Sequence, residues 1–333
     1  MEFNLILFLI ITILSVFSIS LILIQNIFII TLITAFISFF LSILYMILTA
    51  LDVAFTEIAI GAGISTALFL IVIRLSNQYN YFANPINTSS NIGQYKKILT
   101  LSVLFIFAII LGISFIDLPL FGDILNPSNN FLYKDYIEST NSVFNVPNAV
   151  TIILGSFRGF DTLGETAVIA IAAIGVYSVL LNEDETKDKP LYSSVLSRNY
   201  ILNSAIFSLF PFLLLYAIYV QFHGDFGPGG GFQAGVIFAA PYILLIIMNN
   251  NSKYSAFSVN KLLSLLGVGV LIYSATGFLS VFLGGNFLDF YYFGNNFEHS
   301  YHYGLFFIEL GVGITVFAAM LSIIMNFYKQ LNT

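Results

Sequence analysis

An all-α protein that crosses a membrane about nine times is what this sequence predicts, and three observations carry the prediction. Apolar residues make up 58% of the 333 and charged ones only 8%, whereas soluble domains carry roughly 25% charged residues. Nine apolar runs approach or reach the length of about 20 residues that a helix needs to cross the hydrocarbon core. The basic residues, tested against that count, gather almost entirely on one face.

The first run, residues 3–24, has no basic residue ahead of it and no small-residue cleavage site. It therefore reads as a retained helix and not as a signal peptide. Runs at 28–48 and 53–75 follow. The third opens at Asp52, placed to cap the helix N-terminus, with Glu57 about one and a half turns deeper. Gly61, Ala62, Gly63, Ser65 and Ala67 then form a small-residue stretch that admits another helix closely. The fourth run is 98–116. Residues 147–160 are apolar but are divided from 162–181 by Arg158 and Gly159. Joined, the two would be too long for one span, so a lateral amphipathic helix leading into the fifth span is expected. The remaining runs are 200–221, 232–248 (the shortest), 262–283 and 304–327.

With nine spans, Arg74, Lys96, Lys97, Lys187, Lys189, Arg198, Lys253, Lys261 and Lys329 share one face, and Lys134 alone lies on the other. The excess of basic residues then places the N-terminus outside and the C-terminus in the cytoplasm. Dropping or adding a span would scatter the charges. A charged connection at 182–199, closed by Pro190, separates residues 1–181, with five spans, from residues 200–333, with four. No internal repeat supports an inverted-repeat carrier.

Ionisable groups at membrane depth are expensive and mark ion or proton paths. Glu57 is one such group, and a buried carboxylate gains the proton affinity a relay requires. Glu165 is another, near the start of the fifth span. Helical spacing puts Arg158, Asp161 and Glu165 on one face, with Arg158 and Asp161 placed to pair and Glu165 left a turn deeper. Glu309, read as about a turn and a half inside the last span, is open between joining an ion path and pairing with His302. The connection His223, Gly224, Asp225, Phe226, Gly227, Pro228, Gly229, Gly230, Gly231, Phe232 allows unusual backbone. Without a following Lys-Ser/Thr it is no phosphate loop but a tight packing or re-entrant turn, in which His223 is expected to make a structural hydrogen bond.

The absence of cysteine excludes thiolate-held clusters within this chain. Three histidines in polar connections offer no haem or metal set, so no cofactor is expected, and the lack of a basic stretch leaves nucleic-acid binding without support.

Asp52–Leu68 resembles the "PDVALTEAAVGAG-STALF" motif in the C-terminal part of the A-subunit of Mrp-type multisubunit Na+/H+ antiporters. Arg158–Glu165 matches that part's "RGFDTLGE". His223–Phe232 is similar to the "HGH-x-x-PGGGF" motif that opens the B-subunit, and Phe307–Val312 to its "FDLGV". Leu51 stands in place of a proline, Asp225 in place of the second histidine and Glu309 in place of aspartate. The resemblance covers the chain in the family's order and implies a fusion of the end of the A-subunit to the B-subunit. It further implies a place in a bacterial inner membrane, working with the other subunits on Na+ and H+. Transient Na+ would be held at Glu57 or Glu165. It also implies an incomplete antiporter, because the family's core subunit uses intramembrane lysines and every lysine here is expected in a connection or tail. Two other readings remain: a membrane-arm subunit of a related redox-driven complex of the membrane-bound hydrogenase type, and a non-conducting assembly subunit.

Overall fold

The computed structural model describes residues 2–78, 94–119, 125–126, 133–180, 200–248, 257–294 and 297–332. The charged connection 182–199 and Lys253 lie outside the described residues. Among the described residues, eight helices are long and apolar enough to cross a membrane, and Gly231–Ile246 forms a shorter apolar one. The architecture is all-helical and polytopic, with the seventh span the shortest, as the sequence predicts.

Two compact units are present: Met1–Leu75 with Thr140–Thr333, and Ser76–Ser139. The smaller contains α5 (Gln94–Ile116) and a π-helical turn, Lys134–Glu138. The larger begins with α1 (Glu2–Leu23) and α2 (Ile27–Ile47), the latter capped by the Asn26 side chain accepting from Phe28 N–H and Ile29 N–H. Its third span is α3 (Leu51–Thr56), a π-helical stretch Glu57–Ser65, and α4 (Thr66–Gln78). A Cβ on Gly61 would strike the Ser38 hydroxyl of α2, so the small-residue stretch does admit a neighbour.

The stretch before the fifth span is a separate short helix, α6 (Ala149–Ile152), continued by a π-helical turn Ile153–Phe157. It breaks where expected, at Arg158 (φ −122°, ψ 29°), before α7 (Gly159–Leu180). Its inner face is covered by protein, not by a membrane surface. Thr151, Ile152 and Gly155 are buried, and a Cβ on Gly155 would meet Leu305 and Ile308.

The other spans are α8 (Tyr200–His223), α9 (Gly231–Met248), α10 (Val259–Phe282) and α11 (Phe297–Asn332). Helix α11 is the hub, packed by α7, α9 and α10. Its buried face runs Leu305, Ile308, Val312, Val316, Ala319 and Ile324 at helical spacing. Glycines set the approach distances. Gly231 of α9 faces the Glu309 carbonyl and Gly313 N of α11, and Gly269 of α10 faces the Gly311 carbonyl, leaving no room for a Cβ at either. The phenol of Tyr273, fully buried on α10, donates to Gly159 O at 2.8 Å and pins the start of α7.

Three expectations are corrected here. His299 and His302 lie in the opening turns of α11 and His223 ends α8, so none sits in a free connection. Lys261 and Lys329 likewise occupy the first turn of α10 and the last turn of α11. Because α11 starts at Phe297, before its apolar run, Glu309 lies about three turns inside it and not one and a half.

Candidate functional site

Four segments of the larger unit meet at one end: the start of α3, Asn148 ahead of α6, the loop Gly224–Gly230 ahead of α9, and the first turns of α11. Asn148 joins three of them. Its Oδ1 caps α6 by accepting from Val150 N–H at 3.0 Å. Its Nδ2 donates to Gly224 O at 2.8 Å and Gly227 O at 2.9 Å, with Asp52 Oδ1 at 3.4 Å. Thr151 Oγ1 also donates to Gly224 O at 2.8 Å, and Asn148 N–H to Asp225 O at 3.1 Å. The loop thus turns its carbonyls onto the start of α6.

Asp52 does not cap its own helix. Ala50 holds the N-cap position without a side-chain bond, and Asp52 Oδ1 instead accepts Gly229 N–H at 3.2 Å. The aspartate is spent on the loop. Gly230 has φ +120°, a conformation that excludes other residues, and it lies against the carboxylate of Glu309. A Cβ on Gly224 would also strike that carboxylate. On the far side of the loop, His302 Nδ1 pairs with Asp225 Oδ2 at 2.9 Å, so His302 is not the partner of Glu309. Burial pushes the Asp225 carboxyl above its ordinary value near 3.8, opposed by the hydrogen bond and charge of His302. His223 makes no side-chain hydrogen bond among the described residues. It stacks on Tyr219 with centroids 5.0 Å apart, correcting the expected structural bond.

Behind the loop lies a cavity of about 320 Å³ lined by Asp52, Thr56, Glu165, Gln233, Tyr273 and Glu309, with the backbone of Gly229, Gly230 and Gly231 and the side chain of Phe232. Three of the proposed carboxylates, from spans far apart in sequence, therefore share one space. Glu165 lines it from an exposed side of α7. The others are elsewhere. Glu57 turns away, its Oε1 beside Gly61 where Ser38 of α2 also crowds. Arg158 Nε donates to Asp161 Oδ2 at 2.7 Å, the expected pair, but both side chains are more than half exposed. Arg158 itself sits just outside the helix, while Asp161 and Glu165, four residues apart in α7, share one face of it. Pro228 is a partly buried loop residue.

Asn148, Thr56, Gln233 and Tyr273 are site residues that reading the sequence missed. The one signal was position: Asn148 precedes an apolar stretch as an N-cap residue would.

Residues 201–322 match the family described as a domain related to the MnhB subunit of Na+/H+ antiporters. Residues 12–78 match the MbhD family and residues 102–188 the MbhE family, the D- and E-subunits of MBH. A probable K+/H+ antiporter A/B-subunit of Rhizobium meliloti is 30% identical over 47% of this chain and 17% of its own length. An uncharacterized protein of Methanocaldococcus jannaschii is 29% identical over 43% of this chain and 60% of its own. The Na+/H+ antiporter A1-subunit of Staphylococcus epidermidis is 33% identical over 42% of this chain and 16% of its own. The matches to the two antiporter proteins thus take in less than a fifth of their length. Among solved structures, a chain of the Mrp complex from Dietzia sp. DQ12-45-1b shares the fold over 95% of this chain and 34% of its own (TM-score 0.70, 18% identity). A chain of the membrane-bound sulfane sulfur reductase, an archaeal respiratory membrane complex, matches over 70% of this chain and 98% of its own (TM-score 0.56, 25% identity). Along one polypeptide, three stretches thus match in succession the MbhD family, the MbhE family and the domain related to the MnhB subunit of Na+/H+ antiporters.

Proposed function

We propose that this chain is one component of a multisubunit monovalent cation/proton antiporter, and that its intramembrane carboxylates belong to the ion path. The observation that carries this is the cavity on which Asp52, Glu165 and Glu309 open together. A carboxylate exchanges one proton for one Na+, and three around one space give an ion successive sites. Glu57, on the α2 side, is a further relay or Na+ group, with Arg158 and Asp161 setting the field at the mouth. Residues 1–181 act as the A-subunit part and 200–333 as the B-subunit part. The N-terminus is outside, the C-terminus is in the cytoplasm of a bacterium, and a separate antiporter-like core subunit is a partner.

Glu165→Gln tests this, because it keeps size and hydrogen bonding while removing the exchangeable proton. The complex should assemble and lose most Na+-dependent proton movement in membrane vesicles, with Glu165→Asp retaining more. Wild-type exchange in the assembled Gln variant would take Glu165 out of the path.

A second reading has its own support. The match to 98% of a chain of a sulfane sulfur reductase favours membership of a redox-driven complex using the same module. The chains that copurify decide: an iron–sulfur or nickel–iron subunit would favour the redox complex.

A further inference from the structure

The orientation of one buried amide points to a cation site. Gln233, on α9, is only 7% exposed and faces the cavity. Thr56 Oγ1 donates its single proton to Asp52 O at 2.8 Å. Its oxygen can then only accept, and the group it accepts from is Gln233 Nε2, at 2.8 Å. The amide is thereby fixed by the network with its nitrogen on Thr56. Its carbonyl oxygen points the other way and receives no hydrogen bond among the described residues.

Glu309 reaches the same open point beside Gly230. The Oε1 atoms of Gln233 and Glu309 lie 3.6 and 3.3 Å from the point where a Cβ on Gly230 would stand. Gly230, held at φ +120°, leaves that point open. An amide carbonyl and a carboxylate are both acceptors, and two acceptors bordering one open point leave a place that a donor or a cation fills. The groups around them supply no positive charge. Asp52 from α3 and Asp225 from the loop bring negative charge to Glu309. Glu165 of α7 and Tyr273 of α10 line the same cavity. His302 is bonded to Asp225, His223 is stacked on Tyr219, and Arg158 is paired with Asp161.

We infer that Glu309 and the carbonyl oxygen of Gln233 form a site holding either a proton on Glu309 or one small monovalent cation, Na+, and never both. With the proton, the carboxylic acid donates to the Gln233 carbonyl. When Na+ enters, Glu309 gives up that proton to water and both oxygens turn to the metal ion, so one H+ leaves for each Na+ bound. Hard oxygen ligands suit Na+, and the Gly230 Cα hydrogen in place of a side chain provides the space. This deepens the antiporter reading and rests on it for its role in transport.

The test measures proton release from the purified complex in weak buffer as NaCl replaces choline chloride. Wild type should release protons with Na+ and none with choline. Glu309→Gln should lower the release by one proton per chain, and Glu309→Asp should restore it. Gln233→Leu removes one neutral ligand and should raise the Na+ concentration for half-release about tenfold, the usual worth of such an oxygen. Release from Glu309→Gln equal to wild type, or an unshifted half-point in Gln233→Leu, would overturn the site. Should Glu309→Gln fail to assemble, Gln233→Leu decides alone. Vesicle exchange by the same proteins separates this from the transport reading. Proton release without transport by wild type leaves the site and removes that reading. Transport whose Na+ dependence ignores both substitutions does the reverse.

Discussion

Gly267 and Gly269 stand two residues apart on α10, and substituting each by alanine should have opposite effects. A Cβ on Gly269 would lie 2.7 Å from Gly311 O and 2.8 Å from Thr315 N, and on top of the Thr315 hydroxyl. Ordinary carbon contacts sit at about 3.5–4.0 Å, and the two backbone atoms cannot rotate away. Helices α10 and α11 must therefore part by roughly 1 Å, a gap that forfeits about a quarter to a half of each dispersion contact across the crossing. Overpacking of this kind costs about 1–3 kcal/mol, while the gain in helix propensity from Gly to Ala is at most about 1 kcal/mol. Gly267 has nothing within 4 Å of its missing Cβ, so there only the gain applies. The propensity gain is common to both positions, so the two variants should differ by the overpacking cost, about 1–3 kcal/mol, with Gly269→Ala the weaker. The measurement is the temperature at which half the purified complex survives heating, read by size-exclusion chromatography. Since α10 carries Tyr273 and α11 carries Glu309, Gly269→Ala should also reduce Na+-dependent proton movement. Equal midpoints for the two variants would refute the argument that backbone contact sets this crossing.

Asn148→Ser keeps a good N-cap for α6 but withdraws the donor from Gly224 O and Gly227 O. Amide hydrogen exchange of Phe226 to Gly231 should rise while helix α6 stays protected, and unchanged exchange would remove Asn148 as the strut. Asp225 holds its proton in the folded state above the pH at which a free aspartate loses it. Fewer protons are then bound on unfolding, and stability falls as pH rises from about 3.8 through the raised value. Asp225→Asn should flatten that slope in thermal midpoints measured across the acidic range; identical slopes would show the group does not couple to folding. Cysteines placed at Asn260 and Asn286 in this cysteine-free chain should react with an impermeant reagent from opposite faces, Asn286 from outside, and labelling from one face would break the span count.

The spans were legible because apolar length is a property of composition that survives any packing. The Gly61 stretch was legible for a similar reason: small residues in a membrane helix have few uses besides close approach. The depth of Glu309 was not. Its helix starts several residues before the apolar run, through His299, Tyr301 and His302, where hydropathy cannot see a helix. Asn148 was hidden because its value comes from carbonyls 76 and 79 residues away, and asparagine is common in this chain. Gln233 was hidden because its importance lies in which end of the amide points where, a fact fixed only by Thr56. The meeting of Asp52, Glu165 and Glu309 was implicit in the span count, since odd-numbered spans begin at one end. Reading that consequence needed the distances.

The π-helical stretch Glu57–Ser65 stands in the chain like an extra residue wound into an otherwise regular helix. Asp52 and Thr56, just ahead of it, face the cavity, while Glu57 and Gly61 within it lie toward α2. One residue removed from a regular helix turns everything after it by roughly 100°, whereas one removed between Glu57 and Ser65 would let the wider turns rewind as ordinary helix and leave Thr66 to Gln78 close to their present facing. Point substitutions here adjust the site locally. A single-codon deletion in this stretch should therefore leave the facing of α4 largely intact, whereas the same deletion within α4 would present a different side of all that follows it to its neighbours.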